Sequence, residues 1–197
     1  ITVLRKLTQA QPESFDAFRE LADKLRYSER YSDAAEAYTK ALVLAEKQNI
    51  KKWRLYYARG MTFERLDRWD IAEADFRAAL KLQPNQPYVL NYLGYSLVEK
   101  KIKLEEALAM IERAVSLRSD NGYIVDSLGW VLFRMNKYDE AVKHLERATE
   151  LMPADPIIND HLGDGYWAVG RKREAKFQWL RALSFDPEDK EAVRIRK

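Results

Sequence analysis

A glycine returns along this chain at nearly constant intervals, and that regularity restricts the fold more than any other property of its 197 residues. Gly94 in NYLGYSL, Gly129 in DSLGWVL and Gly163 in DHLGDGY are separated by 129 − 94 = 35 and 163 − 129 = 34 residues. Stepping back 34 residues from Gly94 reaches Gly60 in YYARGMTF. A second landmark follows each glycine: Ala72, Phe76 and Ala79, then Ala107, Ile111 and Ala114, then Ala141, Leu145 and Ala148, then Ala175, Trp179 and Ala182. Proline closes the second apolar run at Pro84, Pro153 and Pro187. Three landmarks in one register describe an array of small units, each unable to bury its apolar face alone and therefore stacked on its neighbours.

Within each unit, apolar residues recur three and four apart in two runs joined by a short polar turn, which predicts two amphipathic helices. Small residues let the two helices approach closely, and proline stops the second one. No segment alternates as a strand does. The succession of Leu-Gly, a later aromatic, Ala, a further large residue, Ala and Pro at this period resembles the tetratricopeptide repeat. Leu128, Gly129, Tyr138, Ala141, Leu145, Ala148 and Pro153 carry the clearest copy. The resemblance implies an all-α, right-handed superhelical solenoid of antiparallel helix pairs, with units at 15–48, 53–86, 87–121, 122–155 and 156–189.

Departures from the pattern carry their own expectations. The first unit has Ala22 for the glycine and Glu46 for the proline, followed by four extra residues, Asn49 to Lys52, which read as one more helical turn. The second unit has Arg59 where Leu is expected. Pro12 stands where a closing proline would precede Phe15. Residues 1–14, with Val3, Leu4 and Leu7 on one face, therefore read as the second half of an upstream repeat. Residues 190–197 read as the start of a further or capping helix, so the chain is expected to be a piece of a longer solenoid.

In a stacked array the first helices line a concave groove. Spacing separates the buried stripe of the third unit (Leu90, Leu93, Gly94, Leu97) from a groove stripe of Tyr88, Asn91, Tyr95 and Val98. The fourth unit offers Tyr123, Asp126, Trp130 and Phe133, and the fifth Ile157, Asp160, Asp164 and Trp167. Arg54 and Tyr57 come from the second unit and Arg19 from the first. Aromatic side chains bury large area at low entropic cost, and an amide such as Asn91 can bond a peptide backbone at both donor and acceptor. These residues therefore predict a groove for an extended segment or helix of a protein partner, apolar at its centre and basic beside Asp126, Asp160 and Asp164. The competing reading is that some of the aromatics pack against neighbouring helices. The carboxylate clamp that chaperone-binding tetratricopeptide proteins use is not expected, because only Arg19 and Arg54 suit it and the acidic residues would repel a C-terminus.

Cations cluster in the turns within units, at Arg30, Arg68, Lys100, Lys101, Lys103, Lys137, Arg171, Lys172 and Arg173. Complementing the C-terminal dipole of the first helices accounts for them. Docking to an anionic lipid surface or an acidic protein is the less favoured alternative. Overall charge is 34 − 31 = +3, too small and too evenly mixed to indicate nucleic acid. Without Cys there are no disulfides or thiolate sites, and no run approaches the ~18 apolar residues of a membrane span. Of the two histidines, His161 forms an i, i+3 pair with Asp164 but lacks a third ligand, and reads as a packing residue. No phosphate-cradling loop or nucleophile–base arrangement is visible.

The sequence thus predicts a non-enzymatic binding scaffold without metal or cofactor, or else a structural or regulatory region of a larger protein. The run from NYLGYSL to INDHLGDGYWAVGR further resembles repeat proteins of Gram-negative bacteria, some of them envelope-associated. That resemblance implies a periplasmic location and a part in envelope maintenance or assembly.

Overall fold

The computed structural model describes residues 1–196, which form twelve α-helices and no strand. They divide into two compact units, Ile1–Val89 and Leu90–Lys197, with the division falling inside one helix. The first unit holds α1 (Thr2–Ala10), α2 (Phe15–Tyr27), α3 (Tyr31–Lys47), α4 (Trp53–Arg65) and α5 (Trp69–Leu82). The helix α6 (Pro87–Glu99) spans the division. The second unit continues with α7 (Leu104–Leu117), α8 (Gly122–Arg134), α9 (Tyr138–Leu151), α10 (Pro156–Ala168), α11 (Lys172–Ser184) and α12 (Asp189–Ile195).

The glycines work by close approach. A Cβ on Gly60 would lie 2.7 Å from the Phe76 ring, and one on Gly94 2.7 Å from Ile111. At Gly129 it would meet Leu145 at 2.6 Å, and at Gly163 it would meet Trp179 at 2.4 Å. In each case the second helix of a pair sets a large side chain onto bare backbone of the first. Such contacts lie inside the van der Waals distance, so each glycine is dictated by packing rather than by backbone conformation. The first pair differs: Ala22 and Tyr38 are both fully buried, and the Tyr38 hydroxyl donates to Asp23 at 2.5 Å.

Every turn within a pair is closed in the same way. The residue two past the first helix has positive φ: Glu29 (57°), Asp67 (56°), Lys101 (57°), Asn136 (61°) and Gly170 (83°). The next residue returns its N–H to a carbonyl five back, as in Arg30 to Leu25 (2.9 Å) and Lys137 to Leu132 (2.9 Å). This double closure satisfies carbonyls that the helix end would leave unpaired. It also corrects the dipole account of the turn cations. Arg30, Arg68, Lys103, Lys137 and Arg171 each immediately precede a second helix, next to its positive end. Acids in the following turn offset this, with Arg30 paired to Asp33 and Arg171 to Glu174 at 3.0 Å.

In the first unit, Leu21, Leu25, Tyr38, Leu42 and Leu55 form a core against which Leu4 and Ile50 pack. Val3, expected on the same face as Leu4, is 78% exposed, because adjacent residues on a helix point about 100° apart. The helix α3 extends to Lys47, but Asn49–Lys52, expected to continue it, are turn and extended residues. Asn49 takes a φ of 54° and the Ile50 N–H closes back on Ala45 at 2.8 Å. Arg59, the departure from Leu, forks onto Asp75 of α5 with two bonds of 2.8 Å.

In the second unit the core holds Leu93, Leu97, Ile111, Leu128, Leu145, Ile158 and Leu162. Val98, assigned to the groove stripe, is fully buried here. It follows Leu97 by one residue and falls between the two stripes rather than on the open one.

Candidate functional site

The second unit repeats one helical face on α8 and α10, because 34-residue spacing sets equivalent residues at equivalent positions. Side-chain caps fix where both helices begin: Asn121 accepts from the Ile124 N–H, and Asp155 from those of Ile157 and Ile158. Between the helices runs a pile of rings. Trp130 stacks on Phe133 with centroids 5.0 Å apart and on His161 at 4.0 Å, with planes within 9°. The Trp130 indole donates to Glu99 at 2.7 Å, and Arg134 reaches the same carboxylate oxygen at 3.4 Å. His161 Nδ1 lies 3.1 and 2.9 Å from the two oxygens of Asp126.

This His161–Asp126 pair is buried from α8 to α10, with side chains only 7% and 6% exposed. Burial by itself would push the imidazole down, but the Asp126 carboxylate and its hydrogen bond raise it above the ordinary 6.5, with Asp164 and Glu99 adding to the effect. Burial raises the Asp164 carboxyl, opposed by His161 and by the indole N–H of Trp179, which donates to it at 3.1 Å. The Tyr95 phenol is likewise pushed up, first by burial and then by the charges of Glu99 and Asp126.

On the far side of α10, Arg194 of α12 pairs with Asp160 and sits 3.3 Å from Asp164. Asp160 is 3% exposed, and its Oδ1 has no hydrogen-bond partner. The Asn91 amide oxygen is also buried without one. Around this polar and aromatic floor stand apolar side chains that remain open. Tyr123 is 53% exposed and Ile157 48%, at the same position of α8 and α10. Near the other end of α10 Trp167 is 44% exposed, with Lys172 Nζ 3.5 Å over its ring.

The second unit therefore gathers nine of the residues expected to form a groove: Asn91, Tyr95, Tyr123, Asp126, Trp130, Phe133, Asp160, Asp164 and Trp167. Their roles divide. Tyr123 and Trp167 are open, whereas Asp126, Trp130 and Asp160 are buried in contacts between successive first helices, as the competing packing reading had it. Asp126 is thus not available to attract a basic ligand. The other four lie in the first unit. Arg19 is spent on Asp16 and Asp23 of its own helix, each at 3.1 Å. Arg54 is exposed over the Trp53 ring, Tyr57 packs between Trp53 and Phe76, and Tyr88 is 43% exposed. Burial pushes the Tyr57 phenol up to about 12.

Residues 53–86 and 125–155 match the tetratricopeptide repeat. The TPR repeat-containing protein PA4667 of Pseudomonas aeruginosa is 30% identical over 133 residues, 68% of this chain and 22% of that protein. The chain belongs to the tetratricopeptide-repeat family. A lipoprotein NlpI homolog of Haemophilus influenzae is 29% identical over 104 residues, 52% of this chain and 32% of that protein. This tetratricopeptide chain thus spans between about a fifth and a third of the length of these relatives. The crystal structure of YrrB, described as a TPR protein with an unusual peptide-binding site, superposes with a TM-score of 0.69 at 21% identity. That match covers 98% of this chain and 97% of YrrB, a likeness of fold. Tetratricopeptide arrays are in general non-catalytic surfaces for protein or peptide partners. Among the described residues, no group of three His, Asp or Glu could hold a metal ion, and no helix is long and apolar enough to cross a membrane.

Three participants escaped sequence reasoning. Glu99 sits at the end of α6, where a carboxylate looks solvated. Asp75 was legible in principle: it follows Arg59 by 16 residues, the same offset that brings Phe76 onto Gly60. Arg194 was legible in the same way, since 194 − 160 = 34 and 160 − 126 = 34 put it in register with Asp160 and Asp126.

Proposed function

We propose that this tetratricopeptide chain is a non-enzymatic scaffold that holds a segment of a partner protein on the first-helix face of its second unit. The observation that carries this reading is the contrast on that face: Tyr123, Ile157 and Trp167 stay open while Asp126, Trp130, Asp160 and His161 among them are buried. Open aromatic anchors around a stiff floor are what an interface hot spot requires. Ile157 and Trp167 are ten residues apart on α10, about 15 Å at 1.5 Å per residue, a span that some three helical turns or about five extended residues would match.

Photo-crosslinking in intact cells tests this, with a reactive amino acid at Tyr123 or Trp167 of the full-length protein and at Tyr27, 75% exposed on α2, as the control. A discrete adduct from the first two positions, absent from the control, is expected. The double substitution Tyr123→Ala, Trp167→Ala should abolish partner capture while changing stability by less than about 1 kcal/mol, as for exposed side chains. Equal labelling at all three positions would remove the basis for the groove.

The likeness to a lipoprotein NlpI homolog supports a place in the cell envelope for the whole protein, with a role in envelope maintenance or assembly. Fractionation of the full-length protein checks it. The short span of the relatives covered by this chain supports the second reading, a structural or regulatory array in a larger protein whose activity lies elsewhere.

A further inference from the structure

The first repeat carries four residues beyond the common period, and they build something the other repeats do not share in sequence. Most of the excess lengthens a helix: α3 has 17 residues where α5, α7 and α9 have 14 each, a difference of 17 − 14 = 3. The linker that follows folds back on that helix, its Ile50 N–H returning to the Ala45 carbonyl at 2.8 Å. Ile50 is thereby set against the first unit's core. Beside this linker, where α3 and α5 end and α4 begins, lies a cavity of about 220 Å³. Leu42 and Ala45, only 4% and 1% exposed, are its deepest residues, and Ile50, Tyr56 and Leu82 complete its apolar lining. An apolar cavity of about 150 Å³ already takes benzene, so this one has room for a ring with a short chain.

The rim carries a surplus of positive charge. Lys51 and Lys52 both line the cavity and are exposed, and among the described residues neither pairs with a carboxylate. Lys52 Nζ instead stands 6.0 Å over the Phe15 ring. Glu46, which occupies the place of the closing proline, is the one acid lining the cavity. It is already engaged: the Tyr56 hydroxyl donates to it at 2.8 Å, and burial followed by that bond pushes the phenol up, so the donor stays protonated. Apolar walls with a few charged groups at the mouth are the usual composition of a small-ligand site. An ammonium is a compact point charge that accepts an anion from several directions.

We propose that this cavity binds a small free carboxylic acid, with its ring or short chain against Ala45, Ile50 and Leu82 and its carboxylate at Lys51 and Lys52. The apolar part is removed from water and the carboxylate stays at the solvated rim, so neither end is left in the wrong surroundings. A peptide gains little over such an acid. Outside the cavity the linker presents only Asn49, Lys51 and Lys52, all polar and exposed. The site belongs to the first unit, so it stands or falls apart from the groove reading for the second.

The test titrates the isotope-labelled full chain with 3-phenylpropanoate, 3-phenylpropanol and 3-phenylpropylamine, followed by backbone amide shifts. The acid should move the amides of Ala45, Ile50 and Tyr56 with a dissociation constant of about 1 mM, ordinary for a ligand of this size. The alcohol should bind about 3-fold to 10-fold more weakly, the range that two exposed charge contacts supply, and the amine more weakly still. Lys51→Gln combined with Lys52→Gln should erase the preference for acid over alcohol. Leu82→Trp, which fills the cavity with an indole, should abolish binding of all three, with thermal unfolding confirming that the variant is folded. Equal affinity for acid, alcohol and amine would overturn the carboxylate assignment, as would a preference that survives the double Gln variant. No binding, or shifts confined to other residues, would overturn the site. Tighter binding of the tripeptide acetyl-Gly-Gly-Phe than of the free acid would overturn the small-molecule reading.

Discussion

The two units solve one packing problem with their charges in different places. In the first, the deepest ion pair joins the two helices of a single pair: Arg59 on α4 forks onto Asp75 on α5, whose side chain is 5% exposed. Its first-helix face stays solvated, with Arg19 engaging Asp16, Glu20 and Asp23 along α2 itself. In the second unit the pair buried on both sides joins successive first helices, Asp126 on α8 to His161 on α10, and the half-exposed Arg194 of α12 reaches the buried Asp160. Exposed pairs along one helix contribute little and hold nothing in register, whereas a buried pair between helices penalises every arrangement that separates it. Interhelix pairing therefore makes the second unit's inner face stiff, and a stiff face suits a binding surface.

The sharpest way to break this contrast is to remove one partner of each buried pair. Arg59→Ala should cost about 3–5 kcal/mol in chemical denaturation, because Asp75 is left buried and uncompensated. Arg59→Leu combined with Asp75→Ala should recover most of that loss. A single substitution costing under 1 kcal/mol would mean that Asp75 finds water instead.

His161→Leu should cost about 2–3 kcal/mol at acidic pH, where the imidazolium pairs with Asp126. The folded-state pKa is raised above 6.5, so the charged pair's contribution is complete below the unfolded value and is lost as pH rises through the folded one. The gap in stability between wild type and variant should therefore narrow from about pH 6 upward. A gap independent of pH would show a purely steric role.

Gly129→Ala should destabilise by about 1–3 kcal/mol, since its Cβ would lie 2.6 Å from Leu145 Cγ and 3.1 Å from the Leu145 backbone nitrogen. That outweighs the roughly 1 kcal/mol that alanine gains in a helix. At the corresponding position of the first helix pair it is glycine that is disfavoured: Ala22→Gly should lose about 1 kcal/mol from helix entropy, leaving Tyr38 in place. The smallest effect is shared by both units. Glu29→Gly and Lys101→Gly, each at a φ of 57°, should stabilise by about 0.5–1 kcal/mol, because only glycine adopts that conformation freely.

Much of this was legible because the repeat is a packing rule written in residue sizes. Gly60, Gly94, Gly129 and Gly163 mark the first helices, and the residues 16 or 17 positions later mark what presses on them. Helix pairing, turn positions and the open side of Tyr123 and Trp167 follow from that spacing. The fates of Asp126, Trp130 and Asp160 did not. Their spacing placed them on the inner stripe, and neighbouring helices then covered them.

The sequence by itself determined the period, the helices and which stripe of each helix faces inward, since these depend on residue size and on 100° steps around one helix. Only the tertiary structure decided which inward residues remain open. That depends on how closely the next helix lies and on what it carries at the facing position. Asp126 met His161, Asp160 met Arg194, and Tyr123 met nothing that covered it. Electrostatics in a buried contact is settled by pairs, and a pair from two helices has no expression in the spacing along either one.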